Sequence, residues 1–307
     1  MNSNGKLKTV LVTGGTTGIG RAICATLQAA GYEVFGTGRT VQNGSRVDGF
    51  TLVRLDVRDR DSVIEATDYV ERQSGGIDVL VNNAGIGMAG SVEDSHIEEI
   101  AEVFDVNVYG MVRMCQAVLP RMRSRGYGTI INVSSVGALM GLPYRGVYSA
   151  SKAAVESITE SLSQEAMRFG IRLVLIEPGD FHTNINAHRK VSAGAHASAY
   201  GEEFRRIYRL IEEEVATGAD PRIIGRLVHR IIRSRRPRLR YNVGNLTSKA
   251  AVWLKFMLPD RLFEALMMRH YGMRRRTKAV PTPVNDPAGP PAETGRSRRP
   301  FPCSGSS

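Results

Sequence analysis

Short apolar runs rich in β-branched residues alternate with longer helical patterns through the first 180 residues or so of this 307-residue chain, and few folds tolerate that alternation. The runs fall at Thr9–Thr13, Glu33–Gly38, Thr51–Leu55, Val79–Asn82, Thr129–Ser134 and Arg172–Glu177, with helical patterns near 18–30, 61–74, 96–123 and 147–169 between them. Runs that stay apolar, rather than alternating with polar residues, suit strands covered on both faces. The order predicts right-handed crossovers and an α/β fold, a doubly wound parallel sheet with helices on both faces. One domain over 1–276 follows, rather than two.

Beyond Glu177 the regularity fails. Residues 180–218 read as a long irregular-to-helical insertion, and a loop of that length beyond a strand's carboxyl end is expected to cover a substrate. Residues 220–235 look helical and Leu239–Val243 reads as a final strand. A helical C-terminal extension over 246–276 carries two apolar-faced stretches, 247–257 and 260–271, parted at Pro259. Residues 277–307 hold seven of the thirteen prolines and predict a disordered tail, because such a composition buries too little apolar surface to order itself.

The glycine-rich stretch Thr13-Gly14-Gly15-Thr16-Thr17-Gly18-Ile19-Gly20 ends the first strand and opens the first helix. Glycines at such a turn let the backbone approach a pyrophosphate, whose charge suits a helix N-terminus. Gly14, Thr16, Thr17, Gly18, Ile19 and Gly20 are therefore candidate cofactor contacts. At the end of the second strand an acid would accept from a ribose 2′-hydroxyl, but Gly38 stands there and Arg39 follows. A guanidinium matches a 2′-phosphate in charge and in its forked donors. NADP is expected over NAD, although Thr17 stands where a second basic residue would strengthen that choice. Asp56 and Val57 follow the third strand, where the aspartate either meets an adenine amino group or simply ends the strand.

Tyr148 and Lys152 lie four apart in a helical stretch and share one face. A phenol is a poor base at neutral pH, and a neighbouring ammonium favours its ionised form. General acid–base transfer becomes efficient as that value nears the working pH. Ser135 ends a strand, where its hydroxyl can donate to a substrate oxygen; adjacent Ser134 is its rival, and the thirteen positions from Ser135 to Tyr148 favour the former. A Tyr/Lys pair on a solvated helix face is the plainer alternative.

Together these motifs resemble the short-chain dehydrogenase/reductase family over about residues 7–185. They are TGGTTGIG at 13–20, Asn82-Asn83-Ala84-Gly85, Asn107 in Asn-Val-Tyr-Gly, Ser135, Tyr148-x-x-x-Lys152, and Pro178-Gly179 with Thr183. The resemblance implies a Rossmann-type fold and a catalytic tetrad of Asn107, Ser135, Tyr148 and Lys152. It makes Tyr148 the acid/base, Lys152 the ribose ligand that lowers the tyrosine pKa, and Asn107 the holder of a relay water. It adds Asn83, Ala84, Gly85, Pro178, Gly179 and Thr183 as cofactor contacts. The segment 177–183 and the extended C-terminus are also similar to the steroid- and retinol-dehydrogenase branch.

The expected function is NADP-dependent hydride transfer to or from a carbonyl or alcohol of an apolar, lipid-like substrate. Leu139, Met140, Leu142, Pro143, Tyr144, Phe181 and Ile185 would line its pocket, and His182 reads as incidental. Ketoacyl or small-carbonyl reduction is the nearest alternative. A non-catalytic NADP-binding scaffold need not keep all four tetrad residues. A homo-oligomer is expected from the resemblance.

Cys24, Cys115 and Cys303 are odd in number and lack metal-ligand spacing, so reduced thiols, no metal site and a cytoplasmic location are expected. No run reaches the roughly 18 apolar residues of a membrane span, and the polar N-terminus is unlike a secretory signal. The net charge of +11 concentrates in 222–240, with eight arginines and no acid, and at Arg274–Arg276. Such clusters suit solvent, anionic lipid or nucleic acid. No recognised nucleic-acid module accompanies them; the apolar faces of 246–276 suit either peripheral membrane contact or packing against the domain or a second subunit.

Overall fold

The structure, a computed structural model, describes residues 8–182 and 189–273. Its chain order is β1 (Thr9–Val12), α1 (Gly18–Ala29), β2 (Glu33–Gly38), β3 (Arg46–Val47), β4 (Phe50–Arg54), α2 (Arg60–Ser74), β5 (Val79–Asn82) and β6 (Met88–Ala89). Then come α3 (Ile97–Phe104), a π-helical turn (Asp105–Tyr109), α4 (Gly110–Arg125), β7 (Gly128–Val133), α5 (Gly146–Met167) and β8 (Ile171–Pro178). The rest is β9 (Lys190–Val191), α6 (Gly201–Ala216), α7 (Arg222–Arg233), β10 (Arg240–Val243), α8 (Leu246–Met257) and α9 (Asp260–His270).

The main sheet runs β10-β8-β7-β5-β1-β2-β4-β3, parallel throughout except for the antiparallel edge pair β3/β4. Successive strand residues feed opposite faces. Leu11, Leu80, Ile130, Leu173 and Leu175 pack toward α2, α4 and α5, while Val10, Val12, Val79, Val81, Ile131 and Val174 pack toward α1 and α7. This two-sided burial explains why the strands read as unbroken apolar runs. The chain reverses its strand order between β1 and β5, which opens a cleft beyond their carboxyl ends.

Helix α7 answers part of the charge question. Ile224, Leu227, Val228, Ile231 and Ile232 are buried, so its arginines fall on the outer face. Gly225 permits close contact with α1, since a Cβ there would lie 2.4 Å from Thr26 Oγ1. The last of the arginine run, Arg240, turns inward instead. It pairs with Glu156 at 3.1 Å, Glu160 at 2.5 Å and Glu177 at 3.2 Å, tying α5 to β8 and β10.

The predicted helix at 96–123 is three pieces, because the backbone loosens into a π-turn at Asp105–Tyr109. Within the predicted insertion, α6 forms a third apolar cluster with Tyr144, Ala195 and Tyr271. Ser192, after the short β6/β9 pair, ties the insertion back to Asp94 with a 2.5 Å bond. Cys24 and Cys115 are free and buried; burial pushes the Cys115 thiol up to about 12. Among the described residues no helix is long and apolar enough to cross a membrane. The predicted tail at 277–307, Cys303 and Arg274–Arg276 lie outside the described residues.

Candidate active site

A cleft of about 490 Å³ opens at the carboxyl ends of β1, β2, β5, β7 and β8. Its first wall is the turn between β1 and α1. Gly14 and Gly18 hold left-handed φ values of +64° and +53°, which favour glycine there. A Cβ on Gly20 would lie 2.1 Å from the Gly14 carbonyl, so Gly20 is required behind the turn rather than on the cleft wall. Thr17 precedes α1 without capping it by its side chain, and the first turn carries no acid. The N–H groups there are left to face an anion. These features fit a dinucleotide pyrophosphate.

The loop after β5 fastens that turn. Thr13 Oγ1 accepts from the Asn83 and Ala84 amides at 3.0 and 2.9 Å, and Asn83 Nδ2 donates back to the Thr13 carbonyl at 2.9 Å. Asn82 donates to Asn132, and Asn132 to Thr159, which carries the connection across β7 to α5. Asn83, Ala84 and Gly85 line the cleft, as do Thr16, Ile19, Val57, Pro178 and Gly179. Gly179 is hemmed in by α8, because a Cβ on it would meet Ser248 Oγ at 2.7 Å.

At the far end stand Arg39 and Asp56. Gly38 is compelled by sterics: a Cβ there would lie 2.6 Å from the Thr16 methyl. Any longer residue at 38, an acid included, would displace Thr16. The Asp56 carboxylate is gripped by Arg58, with Nη2 at 2.6 Å and Nε at 3.0 Å, and that guanidinium holds it below the usual carboxylate range. Asp56 thus lines the cleft as a carboxylate already paired with Arg58. Arg58 also lines the cleft; the Arg-Asp-Arg-Asp run at 58–61 was its only signal in the sequence.

The opposite end holds Ser135, Tyr148 and Lys152. Ser135 caps a short 3₁₀ turn at Val136–Ala138 and accepts from the Gly137 amide at 3.1 Å, so its own hydrogen is free to be donated. It hydrogen-bonds Tyr148, and this favours the phenolate. Ser134 is buried, and its hydroxyl leans toward the Lys152 carbonyl and Glu156. Both serines line the cleft, and Ser135 is the one bonded to Tyr148.

Burial dominates at Tyr148 and raises its pKa above the usual phenol value. The cations pulling the other way are Arg145 and Arg189. Lys152 Nζ donates to the Val133 carbonyl at 2.9 Å, and burial lowers its own value to about 8.

Asn107 sits in the π-turn, behind Gly85 rather than on the cleft wall. Its amide donates to the Ile86 carbonyl and to Ser151 Oγ, both at 3.0 Å, and its oxygen accepts from the Ile86 amide at 2.8 Å. π-turns of this kind recur at functional sites, where the extra residue re-aims a side chain.

Of the predicted apolar wall, Phe181 lines the cleft. Tyr144 instead packs on Phe204 and donates to Glu203 at 2.8 Å, and Met140 is buried. Leu139, Leu142 and Pro143 are likewise absent from the lining. His182 bonds the Ala216 carbonyl and is exposed. Thr183 and Ile185 lie outside the described residues. Met88, Arg145, Asp180, Arg189 and Val215 complete this end, and sequence reasoning named none of them. Among the described residues no cluster suits a metal ion.

The short chain dehydrogenase family matches residues 8–193. A 3-ketodihydrosphingosine reductase of Bacteroides thetaiotaomicron is 36% identical over 86% of this chain and 98% of its own length. The human 17-beta-hydroxysteroid dehydrogenase type 1 is 41% identical over 57% of each chain. Among solved structures, a short-chain dehydrogenase from Streptomyces avermitilis superposes with a TM-score of 0.73 at 29% identity, covering 87% of this chain and 98% of its own. With its glycine turn and its serine and tyrosine facing one cleft, this chain belongs to the short-chain dehydrogenase/reductase family of oxidoreductases.

Proposed function

We infer that this chain interconverts a carbonyl and an alcohol on a lipid-like substrate, with NADP as its nicotinamide cofactor. The observation that carries this reading is the placement of Ser135 and Tyr148 in the same cleft as the glycine turn, with Arg39 at the far end. A bound nicotinamide supplies or accepts the hydride. The chain's own residues handle the proton. In reduction the Tyr148 hydroxyl donates its proton to the carbonyl oxygen, while the Ser135 hydroxyl donates a hydrogen bond to the same atom and stabilises the growing negative charge. In oxidation the roles reverse. Lys152, held by Val133, presents a donor to the nicotinamide ribose, and Asn107 fixes the loop that carries Gly85 against it.

The apolar side chains Met88, Phe181 and Val215 favour a hydrocarbon body beside the reacting carbon. The sphingoid and steroid substrates named for the two relatives are of this kind. A scaffold without turnover is disfavoured, since it has no need of both hydroxyls in one cleft. Assembly as a homo-oligomer, a cytoplasmic location and contact with a membrane surface through 246–276 complete the proposal.

NADP preference rests on Arg39 and on the space that Thr16 denies to an acid at 38. Steady-state rates with the two reduced cofactors should favour NADPH by about tenfold or more in kcat/KM, the worth of one charge-assisted bond to a 2′-phosphate. Arg39→Asp should erase that preference. Equal use of NADH by the parent protein would remove the argument.

A further inference from the structure

We propose that Arg145 and Arg189 form an anion subsite beside Tyr148, so that the substrate is a carbonyl compound bearing a carboxylate, sulfonate or phosphate close to the reacting carbon. This rests on reading the cleft as the site of hydride transfer.

Both guanidinium groups line the reacting end of the cleft. Arg145 caps the start of α5, three residues before Tyr148, and its Nη2 donates to the Tyr271 hydroxyl at 2.5 Å. Arg189 leads into β9, and its guanidinium lies 5.8 Å from the centre of the Tyr208 ring. The two are near enough to repel each other, and both act on the Tyr148 phenol. Each keeps a buried donor with no partner: Nε on Arg145 and Nη1 on Arg189. Neither forms an ion pair among the described residues. Residues 183–188, Thr-Asn-Ile-Asn-Ala-His, contain no acid that could supply one. The carboxylate at this end of the cleft, Asp180, makes no ion pair with either arginine.

Holding two half-buried like charges side by side, each with a buried donor unmet, is costly unless something completes them. A planar or tetrahedral anion accepts from both forks at once and removes the repulsion between them. The cofactor does not fill that role, because its pyrophosphate is met by the turn at Gly14–Ile19 and its adenosine end by Arg39. Tyr208 on α6 and Tyr271, just beyond α9, brace the pair, so the insertion and the C-terminal extension both shape this subsite. An anionic head beside the carbonyl, with an apolar body along Met88, Phe181 and Val215, describes an amphiphile.

Two readouts on the full-length protein test this. The first compares NADPH oxidation with ketones of one chain length that carry a sulfonate, a phosphate, a carboxylate or a neutral hydroxyl at the same position. The best anionic ketone should exceed the neutral one by about tenfold or more in kcat/KM, and that ratio should collapse in Arg189→Met and Arg145→Gln. The three anionic arms show which acid the subsite takes. The second readout needs no turnover: decane-1-sulfonate, decyl phosphate and decanoate are titrated against the NADPH-loaded protein. At least one should raise Tm in the parent, and none should in Arg189→Met, with NADPH fluorescence confirming that the variant is folded. Equal rates on neutral and anionic ketones, or Tm shifts that survive Arg189→Met, would overturn the subsite. Absence of turnover with every ketone, alongside arginine-dependent Tm shifts, would instead contradict the hydride-transfer reading and leave the anion site standing.

Discussion

In the proposed reaction Tyr148 carries the proton, and its surroundings set the direction that pH favours. Burial holds the phenol above its usual value, so it is protonated throughout the neutral range, while Lys152 discharges near pH 8. Reduction consumes the hydroxyl proton and should stay level through the neutral range, declining only as the phenol ionises above its usual value; oxidation needs the phenolate and should rise with pH. Profiles of kcat/KM in both directions check this, and a reduction rate that climbs with pH contradicts it. Tyr148, Lys152 and Ser135 were legible in the sequence because their chemistry depends on spacing along one helix and on one strand end. Arg58, Arg145 and Arg189 were not. An arginine in a loop reads as solvated until the fold closes a cleft around it. Lys152 shows the converse, since its position was clear while its partner, a backbone carbonyl at the end of β7, belongs to no side-chain pattern.

At the scale of elements, the C-terminal helices divide into an inward and an outward face. Met267 and Phe263 on α9 pack inward, whereas Trp253 and Phe256 on α8 are 62% and 72% exposed, beside exposed Met257 and Leu262. Exposed apolar side chains beside Lys249, with Lys255 and Arg261 paired to Asp260 and Glu264, suit the interface of a bilayer. The full-length protein should co-sediment with vesicles containing phosphatidylserine. Trp253→Ser combined with Phe256→Ser should reduce that fraction several-fold without changing NADPH binding. Undiminished pelleting of the double variant would sink the membrane assignment. The helices at 220–235 and 247–271 were readable from their apolar periodicity, but the π-turn at Asp105–Tyr109 was not, because one extra residue in a helix leaves the apolar period on either side almost unchanged. Nor did the segment 139–144 line the cleft as its apolar composition suggested; its Tyr144 packs into the α6 cluster instead.

For the whole molecule, the sheet was legible because both of its faces are covered, which makes each strand a plain apolar run, and because crossover handedness leaves few ways to order such runs. The short strands β3, β6 and β9 escaped notice, as two-residue pairings carry no period. The fold places a hydroxyl pair at one end of a nucleotide cleft and cations at both ends, and hydride transfer with a tyrosine proton is the chemistry that uses them all. The decisive measurement is Tyr148→Phe, followed at the nicotinamide absorbance with the ketone substrate that the parent turns over, and by NADPH fluorescence titration. Loss of the phenol oxygen should lower kcat by about a hundredfold or more, the usual worth of general acid catalysis, with NADPH affinity within about threefold of the parent. Turnover close to the parent's in that variant would contradict the account.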